Sequence, residues 1–374
     1  MIRKLLMACC VAALPLVAQA QTIAGGVYED APGLALRQNF TAAAGVTVLL
    51  YGAGGASLAR TATDAAGQYR FRVSGPGEYW VAVDSRSMPG AAGTWAEQSF
   101  GPAGALCAQP EGAPRANFFA GVCAGGKTID GADDASTLST AEHVARVPVR
   151  NDVNGIDFAF SFNLVTTGSD GKTQGSLRQF IDNANAIPGG NRMRFVPIWR
   201  APVQRETSYG APPRWWAINL ATPLAELTDD DTTIDGTAYS FVSPDSPLNP
   251  NPGRFRERPT IRQGERPGRQ ERPELELVTA GERGIVCSGR CGVRALAIHG
   301  SPVSIVVQND ARLEHVVVGL RPDEAAVAER GSVGIQIEGG TTIARDLYVT
   351  DQSRGGIAVA TAEGRLEGER LDVS

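Results

Sequence analysis

Lysine is nearly missing from this chain: Lys4, Lys127 and Lys172 are the only three among 35 lysines and arginines in 374 residues. Positive charge is therefore carried by arginine, and the formal net charge of −5 argues against a nucleic-acid partner. Aromatic residues are few, at 6%, which leaves little material for a large aromatic core. Histidine is limited to His143, His299 and His315. His299 and His315 could be neighbours across strands, but no third ligand is evident, so neither a metal nor any other cofactor is expected. No segment beyond the N-terminus reaches the roughly 20 apolar residues that a membrane helix needs, and the C-terminus carries no sorting signal. G-x-S-x-G and H-E-x-x-H are both missing, which removes the usual signatures of serine hydrolases and zinc proteases.

What is present points outward from the cell. Residues 1–20 read as a signal peptide, with Arg3 and Lys4 before an apolar run from Leu5 to Val17 and Ala18-Gln19-Ala20 as a small-residue cleavage site. Leu6-Met7-Ala8-Cys9 resembles a lipoprotein cleavage box but lies too early in the run, so ordinary export to the cell surface or medium, or exposure in the periplasm, is expected. Four cysteines follow in two local pairs, Cys107 with Cys123 and Cys287 with Cys291. In an exported chain such pairs are most simply disulfides. The alternative is zinc, for which Cys287 and Cys291 are spaced as a ligand pair and Cys107 and Cys123 are not.

The 44 glycines and the short runs of valine and isoleucine predict an all-β chain with many turns. Val46, Val48 and Leu50 alternate, as do Tyr69 and Phe71, then Tyr79, Val81 and Val83. Residues 45–50, 63–71 and 77–81 resemble the small prealbumin-like sandwich found as B-type repeats in bacterial surface adhesins, which implies a stalk or spacer. Relatives that bind calcium use an Asp/Asn-rich loop; here that loop is Glu29-Asp30-Ala31-Pro32-Gly33, too poor in oxygen ligands. Other relatives carry a Lys–Asn crosslink, which the lysine-free residues 21–126 cannot form. Residues 91–150, rich in Ala, Gly and Pro, read as a Cys-stapled insertion with little regular structure. Ile156, Phe158, Phe160, Phe162 and Leu164 then alternate as a closing strand, which places the first domain at 21–165.

The second region, 166–374, opens with a capped helix. Ser176 and Gln179 form a capping box, and Leu177, Phe180, Ile181 and Ala184 make one apolar stripe that Pro188-Gly189-Gly190 ends. Gly175-Ser176-Leu177-Arg178-Gln179-Phe180-Ile181-Asp182-Asn183-Ala184-Asn185, with Thr233-Ile234-Asp235-Gly236-Thr237 downstream, resembles the opening of secreted right-handed parallel β-helix proteins. Their usual Cys is Gly175 here, and their usual Ala is Phe180. The resemblance implies a solenoid whose end the helix covers. From 292 onward the chain repeats: Leu296, Val316, Leu347 and Leu371 head one set of short strands, with Ile305, Ile335 and Ile357 heading another between them. Since 370–374 falls inside a repeat, continuation into further C-terminal domains is expected, or else a next coil supplied by another molecule. Residues 243–274 interrupt the pattern with seven prolines and seven arginines, Arg254 and Arg256 among them. They read as a solvated loop or as a basic patch for acidic glycans.

The expected fold is therefore all-β: a small β-sandwich followed by the N-terminal part of a right-handed parallel β-helix with a capping helix. The expected function is that of an exported, non-catalytic structural or adhesive protein whose partners are glycans, matrix or another cell. The alternatives are a β-helix polysaccharide lyase or glycoside hydrolase acting on acidic glycans, and a rigid spacer. Asp229, Asp230 and Asp231, the densest acidic group, and Arg254 and Arg256 are the candidate glycan contacts. Consecutive positions alternate faces on a strand, so a solvated turn explains the aspartates better than catalysis, and Asp235 suits the turn before Gly236. Four or more charged side chains along one groove would favour the enzyme; flanks of Thr, Ser and small residues would favour binding.

Overall fold

The computed structural model describes residues 20–110, 112–199, 203–204, 214–243, 245–253, 255 and 271–373. The expected signal peptide up to residue 19, Arg254, Arg256 and most of the Pro/Arg-rich segment lie outside the described residues. Among the described residues the chain is mostly β, with a single α-helix.

Residues up to 161 build two facing sheets. One runs in the order Gly121–Val122, Glu97–Gly101, Phe158–Ser161, Gln21–Asp30 and Phe40–Ala42, with Gln68–Val73 paired to the first half of Gln21–Asp30. The other is the antiparallel set Val144–Val149, Gly77–Val83, Thr47–Gly52 and Ser57–Ala62. The alternating side chains read from the sequence meet between them: Val46, Val48, Leu50, Tyr69, Phe71, Val81, Val83, Phe158 and Phe160 share one buried cluster. Burying one face while the other meets solvent is what alternation at period two encodes.

Segment 91–150 departs from expectation. Glu97–Gly101 and Val144–Val149 are full strands of the two sheets, and the Cys107–Cys123 disulfide is buried in the sandwich core. Glu97–Gly101 shows no alternation because all five of its residues are buried. Pro148 is tolerated because Val144–Val149 is an edge strand, where a missing N–H costs no ladder bond.

The helix Leu177–Ala186 joins the two halves of the chain. Leu177, Phe180, Ile181 and Ala184 face the second, larger core. Its polar face is buried too: Asn183 donates to the carbonyls of Trp95 and Phe162, both at 2.9 Å, and Gln179 to Gly93 at 3.0 Å. Ser176 Oγ accepts from the Gln179 amide at 3.1 Å, half of the expected capping box. The reciprocal bond is not made, because Gln179 is drawn to Gly93 and Asn183, and the Ser176 amide donates to Thr173 instead. Gly175, at φ +72°, stands where a Cβ would come within 2.5 Å of Thr166 and Glu97, so cysteine has no room there.

Beyond the helix the chain passes alternately through two parallel sheets. One contains Thr232–Asp235, Leu275–Val278, Cys291–His299, Ala311–Val318, Thr341–Val349 and Arg365–Val373; the other contains Arg283–Cys287, Val303–Val307, Gly331–Ile337 and Gln352–Val359. The repeats seen in sequence pair in register: Leu296 with Val316, Leu347 with Leu371, and Ile305 with Ile335 and then Ile357. Many parallel strands stacked in this way fit a β-helix. Like apolar side chains therefore lie over one another, and each layer buries its inner face against the next.

A column of left-handed residues bends each long strand of the first sheet at the same place. Ala295, His315, Asp346 and Arg370 occupy successive layers at φ 54°, 55°, 51° and 57°. None is glycine, so the neighbouring strands hold a conformation that these residues rarely adopt alone. Asp346 sits between the other two polar members, within 3.7 Å of His315 Nδ1 and hydrogen-bonded to Arg370.

Candidate groove on the long parallel sheet

Before this corner, the outward side chains of the long strands line an open groove of about 500 Å³. Arg192, Arg290, Arg294 and Arg312 lie along it with Asp231, Asp310 and Glu314; Thr233 and Thr341 supply small side chains between them, and Gly292 leaves bare backbone. The groove is thus neither a flat Thr/Ser flank nor a simple basic stripe.

The register explains where its charges go. Asp235 pairs with Arg294, Arg294 with Glu314, Glu314 with Arg345, and Arg345 with Glu369. These five neighbours in five adjacent strands alternate in sign. Opposite charges directly across a strand pair stabilise it by about 0.2–1 kcal/mol. Arg294 Nε lies 3.7 Å from Asp235, and Arg345 Nε 3.5 Å from Glu369. Arg192 binds Asp235 at 2.7 Å, and Arg312 binds Glu314 at 2.7 Å. Burial alone would raise the Glu314 carboxyl, but the Arg312 hydrogen bond and the charges of Arg312, Arg294 and His315 outweigh it and hold the group below its ordinary value.

The expected site residues divide. Asp230 and Asp231 come together on the Arg290 loop: Asp230 accepts from the Arg290 amide at 2.9 Å, and Asp231 from its guanidinium at 2.9 Å. Asp231 alone of the three aspartates lines the groove. Asp229 turns away toward Asn191 and Thr232. The Cys287–Cys291 disulfide closes the loop carrying Arg290, and Gly289 packs so close that a Cβ would meet the Asp229 carbonyl at 2.5 Å. Asp235 makes the expected turn, accepting from the Thr237 amide and hydroxyl at 3.1 and 2.8 Å.

His299 and His315 are not brought together. His299 lies beyond the corner and binds Glu276 at 2.8 Å. Glu276 also accepts from Trp215 Nε1 at 2.7 Å, with Arg321 at 3.6 Å. Burial pushes Glu276 up, but the bonds from His299 and Trp215 and the nearby Arg321 guanidinium hold it below the ordinary value. Among the described residues no group of three metal-ligating side chains converges. A smaller cavity of about 370 Å³ at the corner is lined by Glu274, Arg294 and His315. Burial raises Glu274 to about 7, and its Oε2 accepts from the Ala238 amide at 2.7 Å, which anchors the Pro/Arg-rich segment to the Asp235–Thr237 turn.

Beyond the corner the outer face of the same strands is covered. Ala297, Val317 and Tyr348 lie under Phe255 and Leu320, with the Phe255 and Tyr348 rings 5.0 Å apart. The described ends of segment 243–274 are therefore pinned to the sheet and are not a purely solvated loop. Asn251, fully buried, donates to Pro273 at 2.8 Å, and Arg272 binds Glu324 at 2.9 Å.

The groove arginines were missed by reading motifs, yet the repeats contain the charged column to which Arg294 belongs. Arg294, Glu314, Arg345 and Glu369 each lie two positions before Leu296, Val316, Leu347 and Leu371. No known family model matches the chain, and no curated protein matches it.

Proposed function

We propose that this is an exported surface protein of structural or adhesive type: a prealbumin-like sandwich followed by a right-handed parallel β-helix that the helix Leu177–Ala186 caps, with the open groove as its binding face. The observation that carries this reading is the alternating column Asp235, Arg294, Glu314, Arg345 and Glu369. A glycosidase needs a protonated carboxyl and a free carboxylate facing one sugar ring. Glu314, by contrast, is paired with Arg312 and held ionised. The guanidinium N–H groups not used in these pairs remain available to a polar ligand. The two disulfides, and described helices none of which is long and apolar enough to cross a membrane, agree with an exported protein.

A polysaccharide lyase or hydrolase is the second reading. What favours it is the number of charged side chains in the groove, four arginines and three carboxylates, with Glu274 at the corner beside it. A glycan-array screen of residues 21–374, with reducing-end and unsaturated-product assays on each hit, separates the readings. Binding without product supports the adhesive module. Product formation overturns it, and silence on every glycan leaves a rigid spacer.

A further inference from the structure

The charges of the groove on the long parallel sheet do not add up to a basic site. Among the described residues its four arginines face five carboxylates: Asp231, Asp310 and Glu314 on the lining, with Asp230 and Asp235 held against Arg290 and Arg192. The order of these charges matters more than their sum. Asp235, Arg294, Glu314, Arg345 and Glu369 change sign at every strand, and adjacent strands lie about 4.8 Å apart. A polymer with one charge on every residue, laid across the strands, meets its like at every second one. That holds for an acidic polymer and for a cationic one alike. A hydroxyl group escapes the conflict. Carboxylates only accept hydrogen bonds and guanidinium groups only donate them, whereas a hydroxyl does both. It bridges an arginine and a neighbouring carboxylate without breaking their pairing.

The row of side chains beside this column is of a different kind. Thr233, Gly292, Arg312 and Ile343 are neighbours in four adjacent strands. Thr233 lies so close to Gly292 that a Cβ there would come within 2.6 Å of its hydroxyl, so the floor stays low at this point. Ile343, 37% exposed, ends the row with an apolar seat. An apolar seat beside alternating donors and acceptors suits a sugar ring, which has C–H faces and a rim of hydroxyls. We propose that the groove binds an uncharged, hydroxyl-rich glycan laid across the strands, and that the alternating column discriminates against glycans of a single charge sign. The proposal rests on the adhesive reading of the groove and names the ligand class for it.

The test is surface plasmon resonance of residues 21–374 on immobilised polysaccharides: dextran, mannan and laminarin as neutral probes, polygalacturonate and alginate as acidic ones, and chitosan as a cationic one. The expected result is binding to a neutral probe that changes less than about twofold between about 0.1 M and about 1 M salt, as the screening length falls from about 10 Å to about 3 Å. I343S should weaken that binding by about tenfold. D310N/E314Q, which removes two carboxylates and keeps all four arginines, should gain at least about tenfold in affinity for polygalacturonate at low salt. D310N alone, at an exposed position, should shift the same way by a smaller factor. Stronger binding to an acidic or cationic probe than to every neutral one overturns the proposal and leaves the adhesive reading standing. So does neutral binding that I343S leaves unchanged, since the ligand would then sit elsewhere, or no gain on polygalacturonate in either carboxylate variant. Silence on every probe overturns the adhesive reading and this proposal with it.

Discussion

The long parallel strands present two different outer faces on either side of one corner. Before it, positions such as Arg294, Glu314 and Arg345 are charged, half-buried to exposed and paired with their own neighbours. After it, Ala297, Val317 and Tyr348 are buried beneath Phe255 and Leu320. The inner faces of both halves are the same apolar ladder. Solvent access to the outer face is thus confined to one half by what covers the other, not by the strands themselves. A parallel stack can change its outer face within a single strand, because the left-handed column redirects the chain without breaking the pairing.

The comparison breaks most severely if a charge is placed under the cover. Val317→Asp puts an unpaired carboxylate at a fully buried position and should cost about 3–5 kcal/mol by chemical denaturation. His299→Ala removes a partner of buried Glu276 and should cost about 2–3 kcal/mol near pH 7. Because Glu276 titrates below its ordinary 4.5 when folded, its contribution is present above pH 4.5 and is lost as pH falls through the folded value. The acid-induced loss should therefore be smaller in H299A than in wild type, as a stability profile from pH 7 to pH 3 will show.

Glu97 gives the opposite case. It is buried beside His143 where the sandwich meets the helix, and burial raises it to about 7 despite the bonds from Gln98 and Thr166. Its ionisation opposes folding, so the penalty is absent below its ordinary 4.5, grows as pH rises and is complete above about pH 7. Glu97→Gln should consequently gain more stability relative to wild type at pH 8 than at pH 4, by about 1–3 kcal/mol. The smallest effect belongs to the open half. Ile343→Asp, on an outward position that is 37% exposed, should change stability by less than about 1 kcal/mol. A cost near that of V317D would show the two faces to be alike.

Much of this arrangement was legible because apolar side chains recur at fixed places. Leu296, Val316, Leu347 and Leu371 marked the register, and the Ser176 cap and its stripe marked the helix. The corner was not legible, since Ala, His, Asp and Arg hold left-handed positions where glycine or asparagine would signal a turn. Glu97–Gly101 escaped because a strand covered on both faces carries no alternation. Glu276, His299 and Trp215 converge from distant strands, and no local spacing announces them.

The most direct test of the central claim, that the groove charges are committed to one another, is a double-mutant cycle on Arg294→Glu and Glu314→Arg, followed by denaturation at low and high salt. On this account each single change should destabilise. The double swap should cost about 0.5–2 kcal/mol less than the sum of the two, because it keeps their mutual attraction while Asp235, Arg312 and Arg345 then face like charges. Salt should weaken this coupling. Additive effects at both salt concentrations would contradict it, because the charges would then be free for a substrate.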